Sequence, residues 1–391
     1  MIINSILDTD LYKVTQQQAI CQLYPHAQAR YTFINRGETP FPKGFEKALN
    51  DQIRMLSKLQ LTDEEAKWLQ EKCPFLTPVF IDFLKGYRYN PKEVLAQTTS
   101  KGELCLDITG PWYRTVLWEV PLMAIISELY FKLQDSPNIT SRLNDARHKA
   151  SIKSMKMLNA NVKFADFGTR RRYSEHHHDG IISYLQNPNL VGSSNMYFAK
   201  AYNLKPIGTQ AHEWIMFHAA KYGYGDANRM AMKKWVDVFH GNLGIALSDT
   251  FTTDIFLKSF GLEYAKLFDG VRQDSGDPFE FAGKIVDHYE YLGIDPRSKT
   301  IVFSDSLNPT KAIQLDALCK TLDIKCSFGI GTNLTNDIEG IKPLNMVIKM
   351  SHCKPYGENG WLPVVKLSDT PSKHTGHPEE VALCKKLLRI S

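Results

Sequence analysis

The sequence predicts an α/β protein dominated by successive strand–helix units, and three observations carry that expectation. Between residues 160 and 350, six short apolar runs (162–166, 206–207, 244–247, 267–271, 300–303 and 327–328) each stop abruptly at glycine, acidic, basic or histidine residues. Stretches of helical character accompany them, at 118–132, 142–158, 213–218, 227–238, 279–292 and 309–322. Hydrophobic residues make up 43% of the 391, enough for a sizeable core. Parallel strands covered on both faces read as short apolar runs, and alternation with helices gathers them into one sheet. In α/β barrels the chemistry sits where such strands end. Six polar strand ends in succession therefore point to one site assembled from six loops.

The remaining elements follow along the chain. In the first zone, residues 1–110, a helix is expected over 10–23 behind an Asp8/Thr9 cap. A strand is expected over 29–35, where apolar and polar residues alternate. Helices follow at 45–59 and 62–71, the second opened by the capping box Thr62-Asp63-Glu64-Glu65, and then a strand at 103–108. Residues 111–350 hold the strand–helix series. The third zone, 351–391, carries Gly357, Gly360 and Pro363, a strand candidate at 364–367 and a basic helix at 379–388. It is too short to stand alone and is expected to pack on the first zone. Two domains result: 1–110 joined by 351–391, and 111–350. No internal repeat, low-complexity tract or long linker interrupts them.

A net charge of +5 suits anionic small molecules. No dense Lys/Arg tract is interleaved with aromatics, so no nucleic-acid partner is expected. Lys149, Lys153 and Lys156 fall at helical spacing and read as a solvated face. The seven cysteines are scattered with no Cys-x-x-Cys, which points to reduced thiols and argues against zinc. The N-terminus lacks a basic region followed by a long apolar stretch. The longest apolar stretch, 116–126, is broken by Glu119 and Pro121 and is too short to span a bilayer. A soluble cytoplasmic protein with no membrane partner is expected.

Several strand ends carry residues with chemical potential. Gly329-Ile330-Gly331-Thr332 could bring backbone N–H groups up to a phosphate, or could be an ordinary glycine-tolerant turn. An ordinary P-loop motif is absent. Arg170, Arg171 and Arg172 follow Phe167-Gly168-Thr169; a strand-end guanidinium can grip phosphate or carboxylate with two parallel hydrogen bonds. Three adjacent arginines are not expected all to point inward, which leaves one or two for surface or interface ion pairs. Arg272-Gln273-Asp274-Ser275-Gly276-Asp277 combines guanidinium with carboxylates, a mixture that suits a phosphorylated sugar, though it also reads as a turn with aspartate caps. His212 opens a helix and could be a general base, a nucleophile toward a phosphoryl donor, or a satisfied core histidine. A working imidazole needs its other nitrogen fixed; Asp249 or Glu213 could do so. His176-His177-His178 lacks metal-ligand spacing and reads as a solvated or interfacial run. Asn138-Ile139-Thr140 matches a glycosylation triplet without consequence in a cytosolic chain.

The ordered set of these segments resembles the nicotinate phosphoribosyltransferase family, in its bacterial form. The resemblance rests on Leu7-Asp8-Thr9-Asp10-Leu11-Tyr12-Lys13, Gly110-Pro111-Trp112, Leu117-Trp118-Glu119-Val120-Pro121, Asp166 to Arg172, and Gly192-Ser193-Ser194-Asn195. It continues through Gly208 to Trp214, Asp249-Thr250, Asp274 to Pro278, Val302-Phe303-Ser304-Asp305, Phe328 to Thr332 and Lys342-Pro343-Leu344-Asn345. It runs in order from residue 7 to about residue 370.

The resemblance implies a type II phosphoribosyltransferase fold: an incomplete α/β barrel with a second α/β domain built from the N- and C-terminal segments. It implies transfer of phosphoribose from phosphoribosyl pyrophosphate to nicotinate in NAD salvage. ATP would be co-substrate, with phosphohistidine at His212 and Mg²⁺ as cofactor. The catalytic set would be His212, Asp249, Arg272 and Asp274. Nicotinate would meet Tyr12, Phe167, Arg170 and Ser194, with Phe167 stacked on the ring and Tyr12 reaching it from a partner subunit of a homodimer. Arg170, Arg272, Asp305, the Gly329 and Gly331 backbone, Thr332 and Lys349 would hold the sugar and its phosphates. No fixed protein ligands to the metal are expected; Asp274 and Asp305 could hold it through water. Relatives that use nicotinamide carry an acid where this chain has Ser194, and a hydroxyl there favours the carboxylate; nicotinamide is the alternative substrate. Without a P-loop, ATP is expected to share the phosphoribosyl pyrophosphate pocket. The rival of another class is a non-catalytic sugar-phosphate sensor on the same barrel.

Overall fold

The computed structural model describes residues 1–134 and 138–390; Ser391, the last residue of the expected terminal domain, lies outside them. Along the chain the strands are β1 (Gln28–Asn35), β2 (Val94–Thr98), β3 (Leu104–Pro111), β4 (Phe164–Asp166), β5 (Leu190–Ser193) and β6 (Lys205–Pro206). Then come β7 (Ile245–Leu247), β8 (Gly270–Gln273), β9 (Thr300–Phe303), β10 (Lys325–Ile330), β11 (Met346–Lys354) and β12 (Leu362–Pro363). They form two sheets, one antiparallel in the order β12-β11-β1-β3-β2 and one parallel in the order β6-β5-β4-β10-β9-β8-β7.

In the parallel sheet the first strand pairs with the last, Phe164 opposite Phe328, as in a closed barrel. The sequence neighbours β6 and β7 lie at opposite edges instead. The barrel is therefore incomplete, opened where helices His212–Tyr222 and Ala227–Phe239 make the connection. The six expected runs all become strands, although β8 starts three residues later than the run at 267–271, because Leu262–Leu267 is helical. In this sheet the strand that escaped sequence analysis is β5. Its Leu190-Val191-Gly192-Ser193 has too little apolar character to stand out, yet Gly192 is buried against β6. A Cβ there would lie 2.4 Å from the Lys205 carbonyl oxygen and 2.4 Å from Ile207 Cδ1, so only glycine fits.

The antiparallel sheet is built from both ends of the chain. β11 pairs along the length of β1, from Asn35 opposite Met346 to Gln28 opposite Lys354, and so crosses the boundary expected at residue 350. The strand candidate at 364–367 forms only an isolated bridge, Lys366 to Thr375. Residues 366–373 do not stay on the first zone as expected. They run over the barrel mouth: Leu367 N–H donates to the Thr250 carbonyl at 2.8 Å, Asp369 N–H to Ser275 Oγ at 3.0 Å and Lys373 Nζ to Asp305 at 2.6 Å.

The N-terminal segment enters the same mouth. Met196 and Tyr197 donate backbone N–H groups to the Thr9 and Leu7 carbonyls at 3.0 and 2.8 Å, and Leu11 N–H donates to the Ser194 carbonyl at 2.8 Å. Helix Leu11–Leu23 forms where expected, but neither Asp8 nor Thr9 caps it, and its N-cap residue, Asp10, makes no side-chain cap. The carboxylates have other partners. Asp8 receives both terminal nitrogens of Arg172 at 2.8 and 2.7 Å, and Asn195 Nδ2 at 2.7 Å. Arg172 is thus fully buried, and Arg170 and Arg171 line the outer cavity, so among the described residues none of the three makes the surface ion pair expected of one or two of them. The Thr62 capping box forms as written in the sequence. Two of the three consecutive histidines, His177 and His178, are buried in helix Glu175–Leu185 and only His176 is exposed, so that run is core on two sides rather than solvated.

Removing one member of a buried ion pair leaves an uncompensated charge, at a cost of about 3–5 kcal/mol. Arg172→Met is expected to lower unfolding free energy by about that amount in a urea titration, and an unchanged midpoint would remove the pair from this role.

Candidate active site

Three connected cavities occupy the C-terminal ends of the parallel strands, and Arg170 and Arg272 line all of them. The outer one, about 390 Å³, carries Arg170, Arg171 and Arg272 beside Gly331 and Thr332. Its single lining carboxylate, Asp337, is paired with Lys153 at 2.7 Å. Arg171 makes no side-chain ion pair or hydrogen bond among the described residues; burial, with Arg170 and Arg36 nearby, holds its pKa below the usual arginine value. A cavity with this charge is built for an anion.

The inner cavity, about 40 Å³, joins His212, Asp274, Arg272, Arg170, Tyr12 and Lys349. His212 Nδ1 lies 3.0 Å from Thr250 Oγ1, and Nε2 lies 3.0 Å from Asp274 Oδ2 and 3.8 Å from Asp249 Oδ1. Burial, then the Lys366 charge, lowers the imidazole pKa to about 4. Burial alone would raise the Asp274 pKa, but Arg272 and His212 hold it well below the usual value. An ionised carboxylate only accepts, so the neutral imidazole carries its proton on Nε2 and leaves a lone pair on Nδ1. Asp249 and Glu213, expected to fix the ring, do so less directly than Thr250 and Asp274. Asp249 instead accepts from Ser275 and faces Lys366 at 3.6 Å. Glu213 turns away to share the buried Lys13 ammonium with Glu119.

Lys349 reaches this cavity from β11 of the antiparallel sheet. Burial, partly offset by Glu119, lowers its pKa to about 8. Glu119 itself is held at about 2: burial opposes ionisation, but Lys13, Lys349 and Arg170 prevail.

The third cavity, about 60 Å³, is a slot between Phe167, Tyr12, Ile207 and Val302, with Arg170, Asp10 and Ser194 along it. Asp10 laces two loops together. Its Oδ1 accepts from Thr169 Oγ1 at 2.7 Å and Ser194 Oγ at 2.9 Å, and its Oδ2 lies 4.0 Å from Arg170 Nε.

The sequence pattern of the nicotinate phosphoribosyltransferase (NAPRTase) family matches residues 162–391, and that of the family's N-terminal domain matches residues 7–127. The nicotinate phosphoribosyltransferase of Chromohalobacter salexigens is 48% identical over 100% of this chain and 99% of its own length. That of Desulforapulum autotrophicum is 51% identical over 99% of both. The crystal structure of nicotinate phosphoribosyltransferase from Porphyromonas gingivalis superposes with a TM-score of 0.94 at 43% identity, covering 100% of both chains. The chain belongs to the nicotinate phosphoribosyltransferase family.

Several site residues stand differently from what the family resemblance implied. Tyr12 lies in the chain's own slot, because residues 7–11 are hydrogen-bonded to the chain's own β5 loop. The Ser194 hydroxyl is committed to Asp10. Asp305 is paired with Lys373 and stands outside the linings of the three cavities. Gly329 is buried within β10 rather than at the cavity wall; a Cβ there would fall 2.4 Å from the Phe167 ring. Its role is to seat that ring, while Gly331 and Thr332 do line the outer cavity. Sequence reasoning gave no role to Asp10, Lys13, Glu119, Thr250 or Lys366, and did not single out Arg171 from its two neighbours. The resemblance segments contained the first four, and their chemistry showed only once burial paired them. Lys366 carried no motif signal.

Gly329→Ala is expected to displace Phe167 and cut kcat/KM for the pyridine substrate at least tenfold, in steady-state assays; an unaltered value would show that the ring tolerates the shift. Raising pH through about 8 discharges Lys349, so pyrophosphate affinity measured by calorimetry is expected to fall over that range and to lose this dependence in Lys349→Met.

Proposed function

We infer that this protein transfers the phosphoribosyl group of phosphoribosyl pyrophosphate to nicotinate, giving nicotinate mononucleotide and pyrophosphate. The observation that carries the reading is an apolar slot ending at Arg170, opening directly into a cavity lined by three guanidinium groups. The slot's size and apolar walls suit a flat ring, and Arg170 offers a partner to its carboxylate. The outer cavity offers Arg171, Arg272, Gly331 and Thr332 to the phosphates of the sugar. Family membership supports the same substrates and a role in NAD biosynthesis.

In the transfer, the ring nitrogen of nicotinate attacks C1′ as the C1′–oxygen bond breaks and pyrophosphate leaves with the electron pair. Positive charge develops on the ribose and negative charge on the leaving group. Arg272, held by Ser304 Oγ at 2.8 Å and Asp274 Oδ1 at 2.7 Å, is already oriented when that charge appears, which is the economical arrangement for electrostatic catalysis.

ATP coupling fits the inner cavity. Nδ1 of His212 attacks the γ-phosphorus; the P–N bond forms, the P–O bond to ADP breaks, and the Nε2 proton stays toward Asp274, whose charge stabilises the ring. The Thr250 hydroxyl must swing off Nδ1 first. Water later cleaves the P–N bond. Because Arg170 and Arg272 line both the inner cavity, with His212, and the outer one, ATP and phosphoribosyl pyrophosphate share those cations. Mg²⁺ fits Asp249 and Asp274 better than Asp274 and Asp305. Asp249 Oδ1 is buried without a hydrogen-bond partner among the described residues, and His212, Asp249 and Asp274 present ligand atoms within 4.8 Å of one another. A hydrated ion held there would neutralise phosphate charge. Tyr12 in the chain's own slot removes one argument for a homodimer, which stays a proposal from the resemblance. Among the described residues no helix is long and apolar enough to cross a membrane.

Incubating the protein with nicotinate or nicotinamide, phosphoribosyl pyrophosphate and Mg²⁺, with and without ATP, tests the reading: nicotinate mononucleotide is the expected product, and binding without turnover would favour the sensor. His212→Asn is expected to abolish acid-labile phosphate incorporation from ATP while slow, ATP-independent nucleotide formation persists. Phosphorylation of the wild type is expected to stay level from neutral pH down to about 5 and to fail as His212 protonates near 4. Lys366→Met, by removing a positive charge, raises the imidazole pKa and moves that acid limb to higher pH.

A further inference from the structure

We propose that Asp166 and His178, neither of which lines the slot, are the positioning pair that sets its width and therefore the affinity for the pyridine substrate. The inference rests on the slot being the nicotinate site.

Asp166 ends β4 and is fully buried. Its carboxylate meets three donors. Oδ1 accepts from Gly168 N–H at 2.9 Å, and Oδ2 accepts from Ser193 Oγ at 2.6 Å and lies 3.0 Å from His178 Nε2. Its carbonyl accepts from Ser194 N–H at 2.8 Å. One residue thus fixes both the β4 loop, which carries Phe167, Thr169 and Arg170, and the β5 loop, which carries Ser194. Those loops are walls of the slot, and Asp10 ties them again on the slot side through Thr169 and Ser194. Two carboxylates therefore lace the same pair of loops, Asp166 from beneath and Asp10 from within.

His178 is the brace behind Asp166. It sits in helix Glu175–Leu185 with its ring edge-on to Phe198 at 4.4 Å. Burial would favour a protonated Asp166 carboxyl, but His178 and then Ser193 and Gly168 keep its pKa below the usual value. An ionised carboxylate can accept from all three donors at once, whereas an amide oxygen with an adjacent NH₂ cannot. Ser193, His178 and Asp166 are not a nucleophilic triad: the hydroxyl and the imidazole both serve the carboxylate, and the serine does not face the imidazole.

The test is a comparison of Asp166→Asn, Ser193→Ala, His178→Leu and His178→Gln with the wild type, measuring KM for nicotinate, KM for phosphoribosyl pyrophosphate, ATP hydrolysis without nicotinate, and melting temperature. Gln places its amide nitrogen where Nε2 stood and restores the donor. The expected result is a nicotinate KM raised about tenfold or more in Asp166→Asn and His178→Leu and a smaller rise in Ser193→Ala. His178→Gln should lie near wild type, and the other two catalytic readouts should change by less than about twofold. A purely structural role would move all three together with the melting temperature and would overturn the proposal. Should Asp166→Asn fail to fold, the His178 pair and Ser193→Ala still decide. A wild type that turns over nicotinate, with variants of unchanged nicotinate KM, overturns the proposal alone. A wild type that makes no nicotinate mononucleotide overturns the substrate reading and this inference with it.

Discussion

The insertion of residues 8–13 into the barrel mouth, locked by the buried ion pair of Asp8 with Arg172, is the interaction on which the rest of the site depends. It fixes the position of everything that follows it. Asp10 then reaches Thr169 and Ser194, Tyr12 enters the slot, and Lys13 lies between Glu119 and Glu213. These groups are the internal counter-charges of the site. Without Asp10 and Glu119, the half-buried Arg170 guanidinium would lose the two carboxylates that lie within 4.0 Å of it. The N-terminal segment is therefore part of the site rather than an appendage to the barrel.

Charge balance also explains why the site divides as it does. Deep in the mouth, three cations have anions: Arg272 has Asp274, Lys366 has Asp249, and Lys13 has two glutamates, whereas Lys349 makes no ion pair among the described residues. Toward the outside, Arg171 has none among the described residues. A polyanionic ligand would complete the outer cavity, and the inner cavity holds a neutral imidazole whose proton is already directed by Asp274. The C-terminal residues 366–373 close the arrangement by bonding to the loops after β7, β8 and β9, so both chain ends converge on one barrel mouth.

The fold was largely legible because buried parallel strands have a strong apolar signature and end abruptly. β4, β7 and β9 lie where their runs stop, and the Thr62 capping box forms as spelled. What escaped had local sequence that conflicted with its environment. β5 is glycine- and serine-rich because Ile207 presses on it. Asp8 and Thr9 have the composition of a helix cap, but the Asp8 carboxylate serves Arg172, 164 residues away, and Thr9 offers its backbone carbonyl to Met196 N–H. His177 and His178 look solvated in a run of three polar residues, and helix packing buries them. Of the site, His212, Asp274, Arg170, Arg272, Phe167 and Lys349 were readable and do converge on one mouth. Asp305 and Gly329 were misplaced, since a motif does not show whether a neighbour, Lys373 or the Phe167 ring, has already taken the position.

The sequence by itself determined the strand–helix alternation, the family and the chemical types gathered at the strand ends, because these depend on local periodicity and on motifs that stay together along the chain. Only the tertiary structure decided which carboxylate answers which cation, which nitrogen of His212 keeps its proton, and which side of β10 belongs to Phe167. Those outcomes depend on burial and on contacts between residues far apart in sequence, where an unpaired charge or an extra methyl group costs too much to be accommodated, and no stretch of residues read in isolation contains that information.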